Sequence, residues 1–278
     1  MSAPAPLPTR FAKMSGAGND FVMFLGSPSE GPDEARAIRR ICDRRTGVGA
    51  DGVLFVQRQG ADLVARYFNA DGGAARFCAN GTRCAARLGS IALGFGEDFV
   101  VVTGWGRVGA RLAPEARVTL TLPEPVRRGR ILSTLGLGGG GIGAEAVEVH
   151  VGVPHLVVAV AEGELEALDL GRLGPPLRHH PEMPEGANVN FVERRGPLSL
   201  AVRTWERGVE NETLACGSGV VASAAVASGA VAPTPVEVLV RSGETLVVDF
   251  GATGEGIARL TGDARLLFTG EIRWEEWQ

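Results

Sequence analysis

The sequence predicts an α/β (α+β) fold of two pseudo-symmetric lobes, each a curled, mostly antiparallel sheet around a central helix, and three observations predict it. The chain has 278 residues, a comfortable length for two domains of ordinary size. Each half carries many short apolar runs bounded by Gly, Pro, Asn or Asp, the pattern of strands joined by turns. Each half also holds one alanine-rich segment, Asn80 to Leu93 and Gly217 to about Ser228, small-sided and apolar on most faces. A helix of that kind is stable only when it is surrounded.

Taken in order, Arg10 to Leu25 reads as a strand, a tight glycine turn at Gly16-Ala17-Gly18-Asn19-Asp20, and a second strand. Asp33 to Asp43 places Ala35, Ile38, Ile41 and Cys42 at helical spacing, with Cys42 toward the core. Gly47 to Gly52 leads into a strand at Val53 to Val56, and Leu63 to Asn69 is another. After the first alanine-rich helix, Phe99 to Leu122 is a succession of short strands. Composition changes at Leu122-Pro123-Glu124-Pro125, which sets an N-terminal lobe of 9–123, with 266–278 returning to it, and a C-terminal lobe of 124–265. Gly136 to Gly143 is mostly glycine, and it reads as a flexible hairpin or loop. Its Gly136, Gly138, Gly141 spacing matches a dinucleotide fingerprint, but no strand–helix unit surrounds it. The second half repeats the rhythm of the first, with strand, turn and strand over Val147 to Val160, then strands at Ala187 to Val192 and Leu198 to Trp205. His179-His180 beside Pro181 reads as exposed loop. Beyond the second helix, short strands at Val236 to Val240, Thr245 to Phe250, Gly256 to Leu260 and Arg265 to Phe268 close the chain.

Composition excludes several classes of function. Net charge is −4 with both signs interspersed, and no basic block stands out beyond Arg127, Arg128 and Arg130, so there is no footprint for nucleic acid. The apolar runs fall well short of the roughly 20 residues that cross a bilayer, so no membrane partner is expected. Met1 to Pro8 is rich in Ala and Pro and lacks the basic start and apolar stretch of a secretory signal, which reads as a frayed leader on a cytoplasmic protein. A small molecule is the expected partner. The four cysteines, at 42, 78, 84 and 216, lack the paired short spacings of a zinc site, and disulfides are not expected without a secretory signal, so no metal is expected either. The only lysine is Lys13, at the edge of the first strand pattern. Pyridoxal phosphate enzymes need a lysine for their Schiff base. Amino-acid chemistry here is therefore expected to proceed without that cofactor.

The two helices begin alike, with Phe77-Cys78-Ala79-Asn80-Gly81-Thr82 opening the first and Ala215-Cys216-Gly217-Ser218-Gly219-Val220 the second. Unpaired backbone N–H groups and the positive end of the helix dipole favour anions at such a start, so each can hold a carboxylate and lower a thiol's pKa. Asn80 and Ser218 occupy matching places two residues beyond each cysteine, where their side chains can add donors or cap the turn. Taken singly, a cysteine before an alanine-rich helix is more often a small buried hydrophobe. Two in register point to chemistry. Moving an α-proton from one face of an amino acid to the other requires an acid and a base on opposite sides of one carbon, and a thiol with a pKa of about 8.5 serves as either.

These residues resemble the diaminopimelate epimerase family over nearly the whole chain, from Phe11 to Gly270. The resemblance is carried by GAGNDF at Gly16 to Phe21, GVGADG at Gly47 to Gly52, FNADGG at Phe68 to Gly73, CANGTRC at Cys78 to Cys84, NVNF at Asn188 to Phe191, and WERGVENETLACGSG at Trp205 to Gly219. It implies that Cys78 and Cys216 are the acid–base pair that interconverts LL- and meso-diaminopimelate, without metal or pyridoxal phosphate. It implies that Ala79, Asn80 and Gly81 on one side, with Gly217 and Ser218 on the other, hold the reacting end. Asn19, Asn69, Asn190, Glu206 and Arg207 are implied to line the pocket, Arg207 as partner of the distal carboxylate. Glu206 also belongs to the implied catalytic set, and so does His155, as a group that tunes a thiol. A homodimer is implied as well. Without the resemblance, the three asparagines read as turn residues, Glu206-Arg207 as a solvated pair after a strand, and His155 as a packed or exposed side chain. Cys84 lies about 240° round a helix of about 3.6 residues per turn from Cys78, so it points away from the site into the core.

Three positions depart from the family pattern. Ala79 stands where the family has glycine, which adds a methyl but keeps the N–H, and Gly52 stands where glutamine is common. Val153 replaces an asparagine that reads the substrate's far end, so a polar partner is lost there. That change leaves open a related racemase of another amino acid, or a non-catalytic amino-acid binding protein, although retention of both cysteines argues for catalysis.

Overall fold

The structure, a computed structural model, describes residues 7–28, 32–131, 142–228, 235–251 and 256–277. Most of the glycine run and the first six residues of the Ala/Pro-rich start therefore lie outside the described residues. Leu7 is a correction to the frayed leader: it is buried in a cluster with Phe11, Ile38 and Trp274.

In chain order the first elements are β1 (Arg10–Gly16), β2 (Asn19–Leu25), α1 (Pro32–Cys42), β3 (Gly52–Gln59), β4 (Asp62–Asn69), β5 (Ala74–Ala75), α2 (Ala79–Leu93), β6 (Asp98–Thr103), β7 (Gly106–Ala113) and β8 (Arg117–Pro123). There follow β9 (Val126–Ile131), β10 (Ile142–Val151), β11 (Val153–Val160), α3 (Leu170–Arg178), β12 (Asn188–Gly196), β13 (Ser199–Glu206), β14 (Asn211–Thr213) and α4 (Gly217–Ser228). The last are β15 (Val236–Val240), β16 (Thr245–Asp249), β17 (Ile257–Asp263) and β18 (Arg265–Glu271). Two compact units result, one of Met1–Leu120 with Gly262–Gln278 and one of Thr121–Thr261.

Both units use the same pairing order. In the first, β1 lies antiparallel to β18 and β2, β2 runs parallel to β3, β3 antiparallel to β4, β4 parallel to β6, and β6 antiparallel to β7. In the second, β10 lies antiparallel to β9 and β11, β11 parallel to β12, β12 antiparallel to β13, β13 parallel to β15, and β15 antiparallel to β16. The two-stranded additions match too, β5 beside β4 and β14 beside β13. Each parallel step is bridged by a helix, as a crossover requires. The alanine-rich helices take the enclosed positions: α2 packs against β1, β2, β3, β4, β6 and β7, and α4 against β10, β11, β12, β13, β15 and β16.

Local chemistry explains the elements nearest the helix starts. The β1–β2 hairpin turns on Ala17 and Gly18, both left-handed at φ 53° and 88°, the pair of angles a two-residue hairpin turn needs. In α2, Gly89 faces Leu63, where an added Cβ would come within 2.8 Å of a leucine methyl, so helix and strand meet closely there. At its C-terminal end Gly94 adopts φ 69° and closes the helix.

One helix escaped the sequence pattern. LGRLGPPLR carries two glycines and two prolines, yet α3 forms because the Asp169 side chain accepts from the Arg172 N–H at its start, while Leu170, Leu173 and Leu177 are buried. Gly174 lies directly against the Trp205 ring, which fixes α3 on β13. His179 is exposed just past this helix, but His180 is only 3% exposed, so the expectation of an exposed pair holds for one of the two. The Met183 N–H donates to the His180 carbonyl and the Glu182 N–H to its Nδ1, which folds the segment back.

Candidate active site

At the start of α2, Cys78 is the N-cap, extended at φ −142° and ψ 113°, and its Sγ accepts from the Gly81 N–H at 3.4 Å. Its carbonyl accepts the first helical bond, from the Thr82 N–H at 2.8 Å. The thiol is half-buried, whereas Ala79 and Asn80 behind it are buried. Asn80 Nδ2 donates to Asn19 Oδ1 at 2.7 Å, and Asn19 Nδ2 donates to Asp51 at 2.8 Å. Asp51 in turn pairs with Arg44 at 2.8 Å, Arg44 with Asp20 at 2.7 Å, and Asp20 with Lys13 at 2.8 Å. Burial pulls the Asp20 carboxyl up, but hydrogen bonds from Arg44 and Lys13 outweigh it and hold Asp20 below its usual range. The GAGND and GVGADG segments thus form one ion-pair network whose end is the Asn19–Asn80 contact. Gly16 is needed beside it, because an added Cβ would lie 3.1 Å from both Asn80 O and Cys84 Sγ.

On the other side of Asn80 is Arg83, wholly buried, whose Nη2 donates to Asn80 Oδ1 at 2.8 Å and whose Nε donates to the Asp263 carbonyl at 3.2 Å. Both ends of the Asn80 amide are therefore fixed. Cys84 is fully buried, as its place on the helix predicts, and burial pushes its thiol well up; Cys42 is also buried and pushed up to about 12. Neither is poised as a thiolate.

The start of α4 has the same first helical bond and a different support. Cys216 immediately precedes Gly217, its carbonyl accepts from the Val220 N–H at 2.9 Å, and its Sγ lies 3.6 Å from Ser218 Oγ. Asn190 is wholly buried on β12; its Oδ1 accepts from Thr204 Oγ1 at 3.0 Å, and its Nδ2 faces His155 Nδ1 at 3.2 Å and Leu156 O at 3.3 Å. An added Cβ on Gly219 would fall 2.2 Å from Asn190 Oδ1, so this amide presses on the first turn of α4. His155 is wholly buried and its pKa falls to about 3, first from burial and then from Arg207 and His150. It is neutral at physiological pH, with Nδ1 facing the Asn190 amide and Nε2 buried without a hydrogen-bond partner among the described residues.

The remaining candidates lie near strand ends. Asn69 ends β4, exposed, with its N–H donating to Gly73 O and its carbonyl accepting from the Gly72 N–H. Glu206 ends β13, half-buried. The Arg207 N–H donates to Asn188 Oδ1 at 2.7 Å and its guanidinium to the carbonyls of Glu185 and Gly186, so no carboxylate neutralises it among the described residues. Val153 opens β11, half-buried, next to Gly152 at φ 72°. At Gly52 a side chain has no room, since its Cβ would lie 2.5 Å from the Tyr67 ring.

Sequence reasoning missed the supports of these side chains. Asp20, Asp51, Arg83 and Asn188 lie inside the quoted motifs, and Arg44 and Thr204 lie just before GVGADG and Trp205. Their polarity within segments otherwise rich in Gly and apolar residues was the available signal. Lys13 is buried, paired with Asp20 and donating to the Gly49 carbonyl, so it is committed to the network. Among the described residues no group of three or more His, Cys, Asp and Glu side chains gathers to hold a metal ion, and no helix is long and apolar enough to cross a membrane.

Two enclosed helix starts, each with a cysteine at its mouth, define the class of cofactor-independent amino-acid epimerases. The model of the diaminopimelate epimerase family matches residues 11–124 and 147–267, and the chain belongs to that family. It is 36% identical to the diaminopimelate epimerase of Aquifex aeolicus, over 95% of this chain and 98% of that one. It is 40% identical to the diaminopimelate epimerase of a Synechococcus strain, over 78% and 82%. Among solved structures, the Bacillus anthracis phenazine biosynthesis protein of the PhzF family has the same fold, with a TM-score of 0.70 over 95% of this chain and 99% of that one at 16% identity.

Proposed function

We propose that the protein is a diaminopimelate epimerase that interconverts LL- and meso-diaminopimelate by two-base proton transfer, with Cys78 and Cys216 as the bases. One observation carries the assignment of residues: each thiol stands at the start of an enclosed helix, its carbonyl taking the first helical bond. The backbone N–H groups of each first turn are donors for an α-carboxylate. One thiolate removes the α-proton and becomes a thiol; the electron pair moves into the carboxylate as the carbanion forms. The opposite thiol then delivers its own proton to the other face and is left as thiolate. Charge grows on the carboxylate in the transition state, so the same N–H donors hold it more strongly there than in the ground state. Asn80, Gly81, Gly217 and Ser218 hold the reacting end, with Ala79 adding its backbone N–H. Asn19, Asn69, Asn190, Glu206 and Arg207 shape the remainder, Arg207 facing the distal carboxylate with a charge that no carboxylate neutralises among the described residues. Glu206 and His155 complete the catalytic set, His155 as a neutral group behind Asn190.

The chemistry needs side chains alone, since the one lysine is committed to Asp20. The enzyme acts in the cytoplasm, where thiols stay reduced, and as a homodimer. Leu266, Leu267 and Phe268 are consecutive on β18 and each is at least 40% exposed, an apolar strip suited to a second copy. Light scattering is expected to give a dimer that Phe268→Asp converts to monomer; a monomeric wild type would overturn the dimer.

Incubation in D₂O with LL-diaminopimelate and a panel of other amino acids tests the function. Deuterium is expected at the α-carbon of diaminopimelate. Exchange confined to another amino acid would overturn the substrate, and binding without any exchange would overturn catalysis.

A further inference from the structure

The two helix starts differ in one respect that the reaction above leaves unused. Arg83 is a buried cation without a carboxylate: among the described residues none lies within 4.0 Å of it, and its Nη1 has no hydrogen-bond partner. Among the described residues its bonds go to a side-chain amide oxygen and a backbone carbonyl. An enclosed charge of this kind is strongly disfavoured unless an anion is close. Helical side chains lean toward the N-terminus, which carries this guanidinium back over the first turn of α2, where it meets Asn80.

The ionisable groups acting on Arg83 are Cys84 on its own helix, Asp263 at the end of β17, Cys78, and Arg117 on β8. Cys84 is held as a neutral thiol by burial. The Asp263 carboxylate is occupied elsewhere, accepting from the Ala17 N–H at 2.7 Å and lying 3.3 Å from Arg265. Arg117 carries like charge and opposes Arg83. Cys78 is the remaining group that can become an anion. Among the described residues of the second unit the buried arginine is Arg203, and it is neutralised by a bidentate pair with Glu212 at 2.7 and 2.8 Å. Beside Cys216 lie the neutral amide of Asn190 and, behind it, neutral His155, with Arg207 and His150 as the charged or titratable groups acting on that histidine.

We infer that Arg83 is a positioning residue with two tasks: it fixes the Asn80 amide, and it supplies the buried positive charge that makes Cys78 the thiolate of the resting enzyme while Cys216 keeps the proton. The inference rests on the two-thiol reading above. It further implies that the ligand-free enzyme is poised for the stereoisomer whose α-proton faces Cys78.

Site-resolved alkylation tests it. The ligand-free protein is pulsed with iodoacetamide from pH 5 to 10, and each cysteine-containing peptide is quantified by mass spectrometry. The midpoint of the pH profile reports the thiolate independently of how accessible each sulfur is. Cys78 is expected to have a midpoint at least one unit below that of Cys216. Arg83→Met is expected to raise the Cys78 midpoint by one unit or more and leave Cys216 unmoved. Arg83→Lys keeps the charge and is expected to hold the Cys78 midpoint within about half a unit, while turnover falls because Asn80 loses its partner. A Cys216 midpoint at or below that of Cys78 overturns the inference, as does a folded Arg83→Met protein with an unchanged Cys78 midpoint. If Arg83→Met does not fold, the two wild-type midpoints decide alone. No substrate is present in this experiment, so its failure leaves the deuterium test of the function untouched.

Discussion

The starts of α2 and α4 share a cysteine whose carbonyl takes the first helical bond and differ in what holds them. Behind Cys78 is a charged lattice in which Lys13, Asp20, Arg44 and Asp51 lead to Asn19 and Asn80, with Arg83 on the far side. Behind Cys216 is a neutral one, of Asn190 pressed against Gly219 and held by Thr204 and His155. The repeated part is what any carboxylate site at a helix start needs, a first turn of backbone donors and a small residue after the cysteine. The part that differs sets the electrostatics of each thiol. A reaction that must run in both directions needs two like groups, but it starts from a state in which only one of them holds the proton.

The comparison breaks most severely at the thiols themselves. Cys78→Ala and Cys216→Ala are each expected to lower turnover by about a thousandfold or more, since in the proposed mechanism each is the acid or base for one face of the substrate; a coupled assay of diaminopimelate inversion measures it. Gly219→Ala comes next. Its new Cβ would meet Asn190 Oδ1 at 2.2 Å, whereas Gly81→Ala meets a flexible Leu54 methyl at 3.3 Å. Urea unfolding is expected to show a loss of about 1–3 kcal/mol for Gly219→Ala and a smaller one for Gly81→Ala.

The neutral side is also the acid-sensitive one at His155. Its folded pKa of about 3 lies below the ordinary value of 6.5, so the unfolded chain takes up a proton that the folded protein refuses. The contribution is fully present above pH 6.5 and is lost as pH falls toward 3, at up to about 1.4 kcal/mol per pH unit. His155→Asn is expected to flatten stability measured between pH 6 and 4, and an equally steep profile would contradict the burial of a neutral ring. The smallest effect is expected at Val153. Val153→Asn restores a polar partner at the start of β11 and should lower KM for diaminopimelate a few-fold, with kcat within about twofold.

The parts legible in the sequence were those set by local rules. The β1–β2 hairpin followed from Gly16 to Asp20, α2 and α4 from their alanine-rich runs, and the paired helix starts from two matching hexapeptides. Family blocks supplied the candidate side chains. What stayed hidden depends on tertiary packing: α3 is helical despite Pro175 and Pro176 because its leucines have a core to enter, and β5 and β14 are short additions with no periodicity to read. Arg83 stood in plain view inside CANGTRC, but sequence gives no burial, and an arginine in the second turn of a helix ordinarily reaches solvent. His180 was misplaced for the same reason.

The central claim, that Cys78 and Cys216 exchange one α-proton between them, is tested most directly by deuterium incorporation from D₂O into LL-diaminopimelate by the wild type and by Cys216→Ala in parallel. The account predicts meso product labelled at the inverted α-carbon from the wild type and no inverted product from the folded variant. Labelled meso-diaminopimelate formed by Cys216→Ala at the wild-type rate would contradict it.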